Sequence, residues 1–518
     1  MEPFVYQLPA SVSAERLCRQ LPEESGLALR LDRQDSREGL LLDTFDGALF
    51  NSGKVLVSLD GGLLLLDLHD GRVLEQAGPL GGTVIGDMVK GPVVDLLVEL
   101  APLRAPLPVA SLRLRREEGR LVDDEGKTLV RFCQLMCARG QGRMVGVGCS
   151  QPLRGYEEAG EVLRLALQGC GAVPCGDGQE LYEALKLPLP AYQAKPEIVL
   201  HAEAPVGDSA LLLLRTFLQV ARANEGGIAA DSDSEFLHDY RVALRKIRSL
   251  LSLFTGVFDA AATESLKRHL ADLMRTTNGL RDLDVYLLRR GDYHALVPAS
   301  AHPGLKLLFD ELLGRRHEEQ RRVKLALSGK AYKRKMAALA RAFTVGRGTL
   351  KPGPLATEAS RPFAARLILK RYRRVCKVAR GLDETTPDEG IHRLRIHCKK
   401  LRYLMEFFSS LFPPAEIKGV IRSLKQLQDC LGTFNDLSVQ QNFLATLLAG
   451  AQCGGARAVP LAYAVGALTA MLASLQARER GRVFDSLALF CGEENRLIFA
   501  ELFTSRQEDD EDTRLLQQ

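Results

Sequence analysis

Apolar and polar positions follow two different rhythms along this 518-residue chain. Over residues 1–150, short Ile/Val/Leu runs are separated by turn signals at Asp60-Gly61-Gly62, Asp70-Gly71, Gly81-Gly82 and Asp124-Glu125-Gly126. That is the pattern of strands and hairpins. Between Val109 and Arg116, Leu112 and Leu114 alternate with Arg113 and Arg115, and Thr128 to Phe132 follows the Gly126 turn. This predicts two strands joined by a polar connection. Glu157 to Gly169 and Gln179 to Leu185 read as helices. Leu187 to Pro196, with three prolines, reads as a linker. From about Pro205 onward the period is 3.6 nearly throughout, and Pro352-Gly353-Pro354 divides this helical region into halves.

The two halves repeat. His238, Arg241, Arg245, Lys246 and Arg248 recur as His392, Arg395, Lys399, Lys400 and Arg402, 154 residues on. The register continues through Leu250/Leu404, Phe254/Phe408, Phe258/Phe412, Asp282/Asp436 and Leu283/Leu437, which predicts a duplicated unit. At about 100° per residue, His238, Arg241, Arg245 and Arg248 fall within a stripe roughly 80° wide. Leu244, Ile247, Leu250, Leu251 and Phe254 fall largely opposite, and Lys246 flanks the stripe. His392, Arg395, Lys399 and Arg402 oppose Leu394, Leu401, Leu404, Met405 and Phe408 in the same way. No carboxylate interrupts either stripe from Arg241 to Arg248 or from Arg393 to Lys400. A solvated surface helix usually mixes signs, because like charges at i,i+4 repel by a few tenths of a kcal/mol. Two unbalanced stripes point to a polyanion that neutralises them. A histidine at the end of such a stripe can add a phosphate donor, more strongly charged as pH falls toward about 6.5, or serve as a neutral hydrogen-bonded residue near a helix start.

The overall charge of +5 conceals an asymmetry. Residues 1–200 carry net −7, residues 201–518 net +12, and residues 321–380 alone 18 basic and 1 acidic side chain. Such local density favours a polyanionic partner through steering and counterion release. Arg366, Lys370, Arg373 and Lys377 form a secondary basic stripe, widened by Arg371 and Arg374, with no carboxylate between Arg361 and Arg380. The tail, Glu508 to Asp512, is acidic and expected to be disordered. No run of 18 apolar residues occurs, so no membrane span or membrane partner is predicted. The N-terminus lacks a basic and an apolar signal region, which argues against secretion. The 11 cysteines lack a CxxC and read as reduced thiols packed in a cytosolic protein. Neither a metal-ligand cluster nor a Ser-His-Asp arrangement emerges, so no metal and no cofactor are expected. Nucleic acid is the weaker polyanion candidate. Tyr240, Tyr372 and Tyr403 are the only tyrosines near the basic stripes that could stack on bases.

The repeated His-xx-Arg-xxx-Arg/Lys-Lys-x-Arg helix, with Arg281-Asp282-Leu283-Asp284-Val285 and Leu431-Gly432 through Asn435-Asp436-Leu437, resembles the CHAD domain over roughly 205–500. The resemblance implies two four-helix bundles related by pseudo-two-fold symmetry, with basic helices lining a groove that binds inorganic polyphosphate. His238, Arg241, Arg245, Lys246, Arg248, His392, Arg395, Lys399, Lys400 and Arg402 would line it. Asp282 and Asp436 would fix a loop or orient a basic side chain.

The N-terminal region resembles the CYTH (triphosphate tunnel) fold through Leu42-Asp43-Thr44-Phe45-Asp46-Gly47 and Pro152 to Glu158, with Lys195-Pro196 as the usual exit. The family's opening Glu-x-Glu-x-Lys is degenerate here, with Glu2, Phe4 and Tyr6 at those positions. Phe cannot ligate Mg²⁺, which demands oxygen. The stretch after Gly53 reads aliphatic where inward cations are expected, and Arg113 and Arg115 remain. The expectation is therefore an α+β multidomain chain. It has an antiparallel β-barrel-like CYTH domain without catalysis at 1–190, a linker at 191–204, helical bundles at 205–350 and 355–505, and a tail at 506–518. It would be cytoplasmic and associate with polyphosphate granules. A metal-dependent tri- or polyphosphatase is the rival reading, and nucleic-acid binding the third.

Overall fold

The computed structural model describes residues 3–8, 12, 14–78, 81–176, 178–344, 346, 348–383, 385–450 and 457–504. Glu2 and the acidic tail lie outside them. The chain divides into two compact units, Met1–Ala194 with Ser232–Glu235, and Lys195–Asp231 with Phe236–Gln518.

The first unit is one antiparallel sheet. Its strands are β1 (Phe4–Leu8), β2 (Ala28–Asp43), β3 (Lys54–Leu59), β4 (Gly62–Asp67), β5 (Val73–Ala77), β6 (Leu107–Val122), β7 (Thr128–Arg139), β8 (Val145–Pro152) and β9 (Val173–Pro174). Their order is β5-β4-β3-β2-β6-β7-β8-β1-β9. The sheet is open, with β5 and β9 as its edges, so the barrel-like expectation is met by a continuous antiparallel sheet and not by a closed ring. Asp60-Gly61 makes the two-residue β3–β4 hairpin with Gly61 at φ 86°, a positive φ at the second turn position that favours glycine.

Short helices flank the sheet: α1 (Ala14–Cys18), α2 (Ala48–Asn51), α3 (Pro92–Leu100), α4 (Glu157–Gly169) and α5 (Gly178–Ala184). Both faces of the strands after Gly53 are buried. Val55, Val57, Leu64 and Leu66 enter one core, with Leu181 and Leu185 of the α5 region. Leu56, Leu63 and Leu65 enter another, with Val93 and Leu97 of α3. An unbroken aliphatic run is what a strand covered on both sides needs.

The second unit is helical: α6 (Val206–Ala230), α7 (Ser234–Leu253), α8 (Ala260–Thr276), α9 (Asn278–Leu288), α10 (Arg290–Leu296), α11 (His302–Ser328), α12 (Lys330–Ala342), α13 (Ser360–Ala379), α14 (Asp388–Phe407), α15 (Pro414–Gly450), α16 (Ala458–Phe490) and α17 (Glu493–Phe503). The duplication is visible in the boundaries. The starts of α6, α7 and α8 reappear at α13, α14 and α15, each 154 residues later. The first copy breaks at Thr277 between α8 and α9, whereas α15 runs through the equivalent Leu431.

The halves share a core. Leu305, Leu308 and Phe309 of α11 and Tyr286 of α9 pack with Leu437 and Leu444 of α15 and Leu461, Val465 and Leu468 of α16. Gly304 allows the close approach, because a β-carbon there would collide with the Pro460 carbonyl. By length and composition α16 could also cross a membrane, with mean hydropathy 1.8 over its best window and 28% of that window buried. No uninterrupted apolar run signals it in the sequence.

Candidate functional site

Helices α7 and α14 bury their apolar backs as the periodicity requires. Leu244, Ile247 and Leu250 of the first are fully enclosed, as are Leu394, Leu401 and Leu404 of the second. The helices meet each other at their C-terminal ends. Phe254, just after α7, stacks on Phe408, just after α14, with centroids 5.2 Å apart and planes at 6°. Higher up, Glu406 of α14 lies 3.7 Å from the Lys246 ammonium of α7 and 3.2 Å from Nε of Arg402. Lys246 also stands 5.0 Å over the Phe217 ring. This contact brings the two basic stripes together.

Three of the predicted cations converge there. Arg245 from the first copy, with Arg395 from the second, depresses the Lys399 ammonium. Burial is the largest cause, the two guanidiniums follow, and the Lys399 pKa falls to about 8. Arg395 is itself held below the usual guanidinium range by burial and by Arg245, against the pull of Asp436 3.6 Å away. Arg245 has no ion pair among the described residues, and its Nε is buried without a hydrogen-bond acceptor, as are those of Arg241 and Arg395. Like charges held this close in a half-buried setting are unfavourable unless an anion joins them.

Arg241 plays a different part. It is buried, and its Nη1 donates to the Met274 carbonyl at 2.9 Å and to Thr277 Oγ1 at 2.7 Å. Burial first, then Arg245, lowers its pKa to about 10. It ties α7 to the α8–α9 break.

The histidines are held in register. His238 Nδ1 receives a hydrogen bond from Arg281 Nη2 at 2.9 Å, so its ring proton is on Nε2. His392, which is exposed, has Nδ1 2.6 Å from Asn435 Oδ1. Arg281 and Asn435 are themselves 154 residues apart, each immediately before the paired Asp282 or Asp436. Asp436 faces Arg395, and Asp282 is electrostatically coupled to Arg241 and Arg281. The Asp436 contact is within reach of orienting Arg395.

Not every predicted residue joins this front. Lys400 is apart from it, with its pKa lowered by burial and then by the nearby Arg371 and Lys267 cations. Arg248 is exposed and acts on Glu264 of α8, the carboxylate 2.8 Å from Lys267. Lys400 falls on the flank because it is some 100° round the helix from Lys399. In the secondary stripe, Arg366 forms a bidentate pair with Glu358 at 2.5 and 2.8 Å, a carboxylate just outside the Arg361–Arg380 interval. Lys370, Arg373 and Lys377 lie beside it on α13, lining a cleft that contains none of the front. Sequence reading named Arg281 within a motif without giving it a role, and it missed Glu406 and Thr277. Arg281 precedes a noticed aspartate. The other two carry no signal apart from the fold.

Tyr240, Tyr372 and Tyr403 are buried. Tyr372 stacks on Phe499 at 3.7 Å and Tyr403 on Phe407 at 6.0 Å, so these rings serve internal packing.

In the first unit, strand register places Tyr6, Gly148, Gln134, Glu117 and Gln34 side by side across β1, β8, β7, β6 and β2. Glu117 is buried and spent. It accepts from Gln34 Nε2 at 3.2 Å and from Gln134 Nε2, and Arg115 Nε lies 2.9 Å away. The Tyr6 ring fills the space over Gly148, where a β-carbon would lie 2.6 Å from it. Phe4 stacks on Tyr6 at 5.6 Å. Arg113 is exposed and donates to the Gly140 carbonyl at 2.9 Å. Lys54 pairs with Asp67 at 2.6 Å.

Against known proteins, the CHAD domain model matches residues 212–445. An uncharacterized protein of Mycobacterium tuberculosis strain CDC 1551 / Oshkosh is 24% identical over 406 residues, covering 74% of this chain and 75% of that protein. Among solved structures, the CHAD domain of the plant Ricinus communis is 25% identical with a TM-score of 0.48, covering 58% of this chain and 96% of that one. PptA from Streptomyces chartreusis is 18% identical with a TM-score of 0.44, covering 55% and 99%.

Proposed function

With residues 212–445 a CHAD domain, a family associated with polyphosphate binding, we propose that the convergent front of α7 and α14 binds inorganic polyphosphate. The observation that carries this is the crowding of Arg245, Arg395 and Lys399. They come from both copies of the repeat, and among the described residues Asp436 is the one carboxylate paired with any of them. A flexible polyanion with about one charge per phosphate supplies what is missing. Charge-assisted hydrogen bonds from guanidinium and ammonium groups reach its non-bridging oxygens. One chain can engage both copies at once, which raises its affinity without new contacts. The protein would thereby be carried to polyphosphate-rich bodies in the cytoplasm.

The test is a titration of long-chain polyphosphate against wild type and an Arg245→Ala/Arg395→Ala/Lys399→Ala variant. A loss of about 100-fold or more with unchanged helical circular dichroism is expected, since three charge-assisted contacts go at once. Unchanged affinity in that variant would defeat the assignment. Polyphosphate should also displace RNA at fixed ionic strength, because the tyrosines nearest the basic helices are packed inward.

The same reading takes the N-terminal unit as a CYTH-like scaffold without triphosphatase activity. Its buried Glu117 is committed to two amides and Arg115, and Tyr6 occupies the space above Gly148. Tripolyphosphate with Mg²⁺ or Mn²⁺ should release no phosphate above the protein-free rate. Release that disappears in Glu117→Gln would overturn this part.

A further inference from the structure

The secondary stripe lines a cleft of about 560 Å³ between α13 and the segment leaving α7. That volume is in the range of small-molecule sites. Two chemistries meet in it. Lys370, Arg374 and Lys377 project from α13 and have no ion pair among the described residues. Leu253 and Leu355 supply an apolar wall from outside α13, joined by Leu367 of α13, with Leu355 left 36% exposed. Ser252 and Thr255 add two hydroxyls at the rim. Ser252 Oγ donates to the Arg248 carbonyl at 2.8 Å, which leaves its lone pairs open to a donor.

A purely inorganic anion has no use for the aliphatic wall, and burying Leu355 requires an apolar surface on the ligand. An acyl chain has no use for the hydroxyls. A planar heteroaromatic base matches both, with its face on the leucines and its polar edge toward Ser252 and Thr255, while two or more phosphates reach the cations. We infer that the α13 cleft is a separate site for a nucleotide carrying two or more phosphates. The inference is independent of polyphosphate binding at the α7/α14 front, since the two sites share no lining residue.

The experiment is a calorimetric titration of the full-length protein carrying Arg245→Ala/Arg395→Ala/Lys399→Ala, which disables the α7/α14 front, in metal-free buffer, with ATP as probe and tripolyphosphate as its base-free counterpart. ATP is expected to bind at least tenfold more tightly than tripolyphosphate. Lys370→Ala/Arg374→Ala should weaken ATP at least tenfold. Leu355→Ser should weaken ATP several-fold and leave tripolyphosphate unchanged. ATP binding should survive in this background, which separates this site from the front. If Lys370→Ala/Arg374→Ala does not retain wild-type circular dichroism, Lys370→Gln/Lys377→Gln takes its place. Equal affinity for the two probes, or ATP affinity that is indifferent to the α13 variants, overturns the inference.

Discussion

Lys399 makes the electrostatic cost of the front measurable. Its pKa in the folded protein is lowered to about 8 from the ordinary 10.5. Between those values the unfolded chain binds more protons, so this residue makes the ligand-free protein gain stability as pH rises through 8 toward 10.5. A bound polyanion reverses the preference and holds the proton on. Polyphosphate affinity should therefore fall about tenfold from this proton alone when pH rises to about 9, with proton uptake on binding. The fall should be much smaller in Lys399→Arg, which stays charged, and equilibrium titrations at about pH 7 and pH 9 check it.

Arg241 and Arg245, one turn apart, should respond oppositely to truncation. Arg245→Ala removes an uncompensated charge and should leave the thermal midpoint unchanged or raise it. Arg241→Ala removes two buried hydrogen bonds from a charged donor, to Thr277 Oγ1 and the Met274 carbonyl, which should cost about 1–3 kcal/mol. Thermal denaturation of the two variants separates a ligand-facing cation from a structural one that the sequence pattern makes look alike.

At the level of elements, α7 and α14 are legible because helical periodicity and a fixed repeat offset act within one stretch of chain. What the sequence does not show is which groups come back to them. Glu406 reaches Lys246 across two helices, and Arg281 and Asn435 each reach a histidine 43 residues away. Such pairings depend on helix packing, which no local pattern encodes. Spacing puts Arg248 on the basic stripe, where it acts on Glu264 of α8, and puts Lys400 on its flank, beside Arg371 and Lys267. On the proposed reading, Asp436 would compete with polyphosphate for Arg395. Asp436→Asn should accordingly raise polyphosphate affinity about two- to fivefold, measured at constant salt, by releasing Arg395.

For the whole molecule, net charge is a poor guide, because +5 averages an acidic N-terminal part and a basic C-terminal one. Binding through three cations should give a log–log salt slope of about −2, or a loss of about 20-fold between about 50 and 200 mM salt. A slope near zero would mean that the charges are not what holds the ligand. The open sheet is legible as strands and turns. Its failure to close is not, since closure depends on edge pairing across the whole unit.

The core shared by α11 and α16 has a consequence for how this unit came to be. Cutting the chain near Gly353 would tear one greasy seam into two raw flanks, with Phe309 and Tyr286 bared on one piece and Leu461 and Leu468 on the other. Either fragment expressed alone should precipitate, and the two together should recombine. A segment that began as a copy has become indispensable to its original.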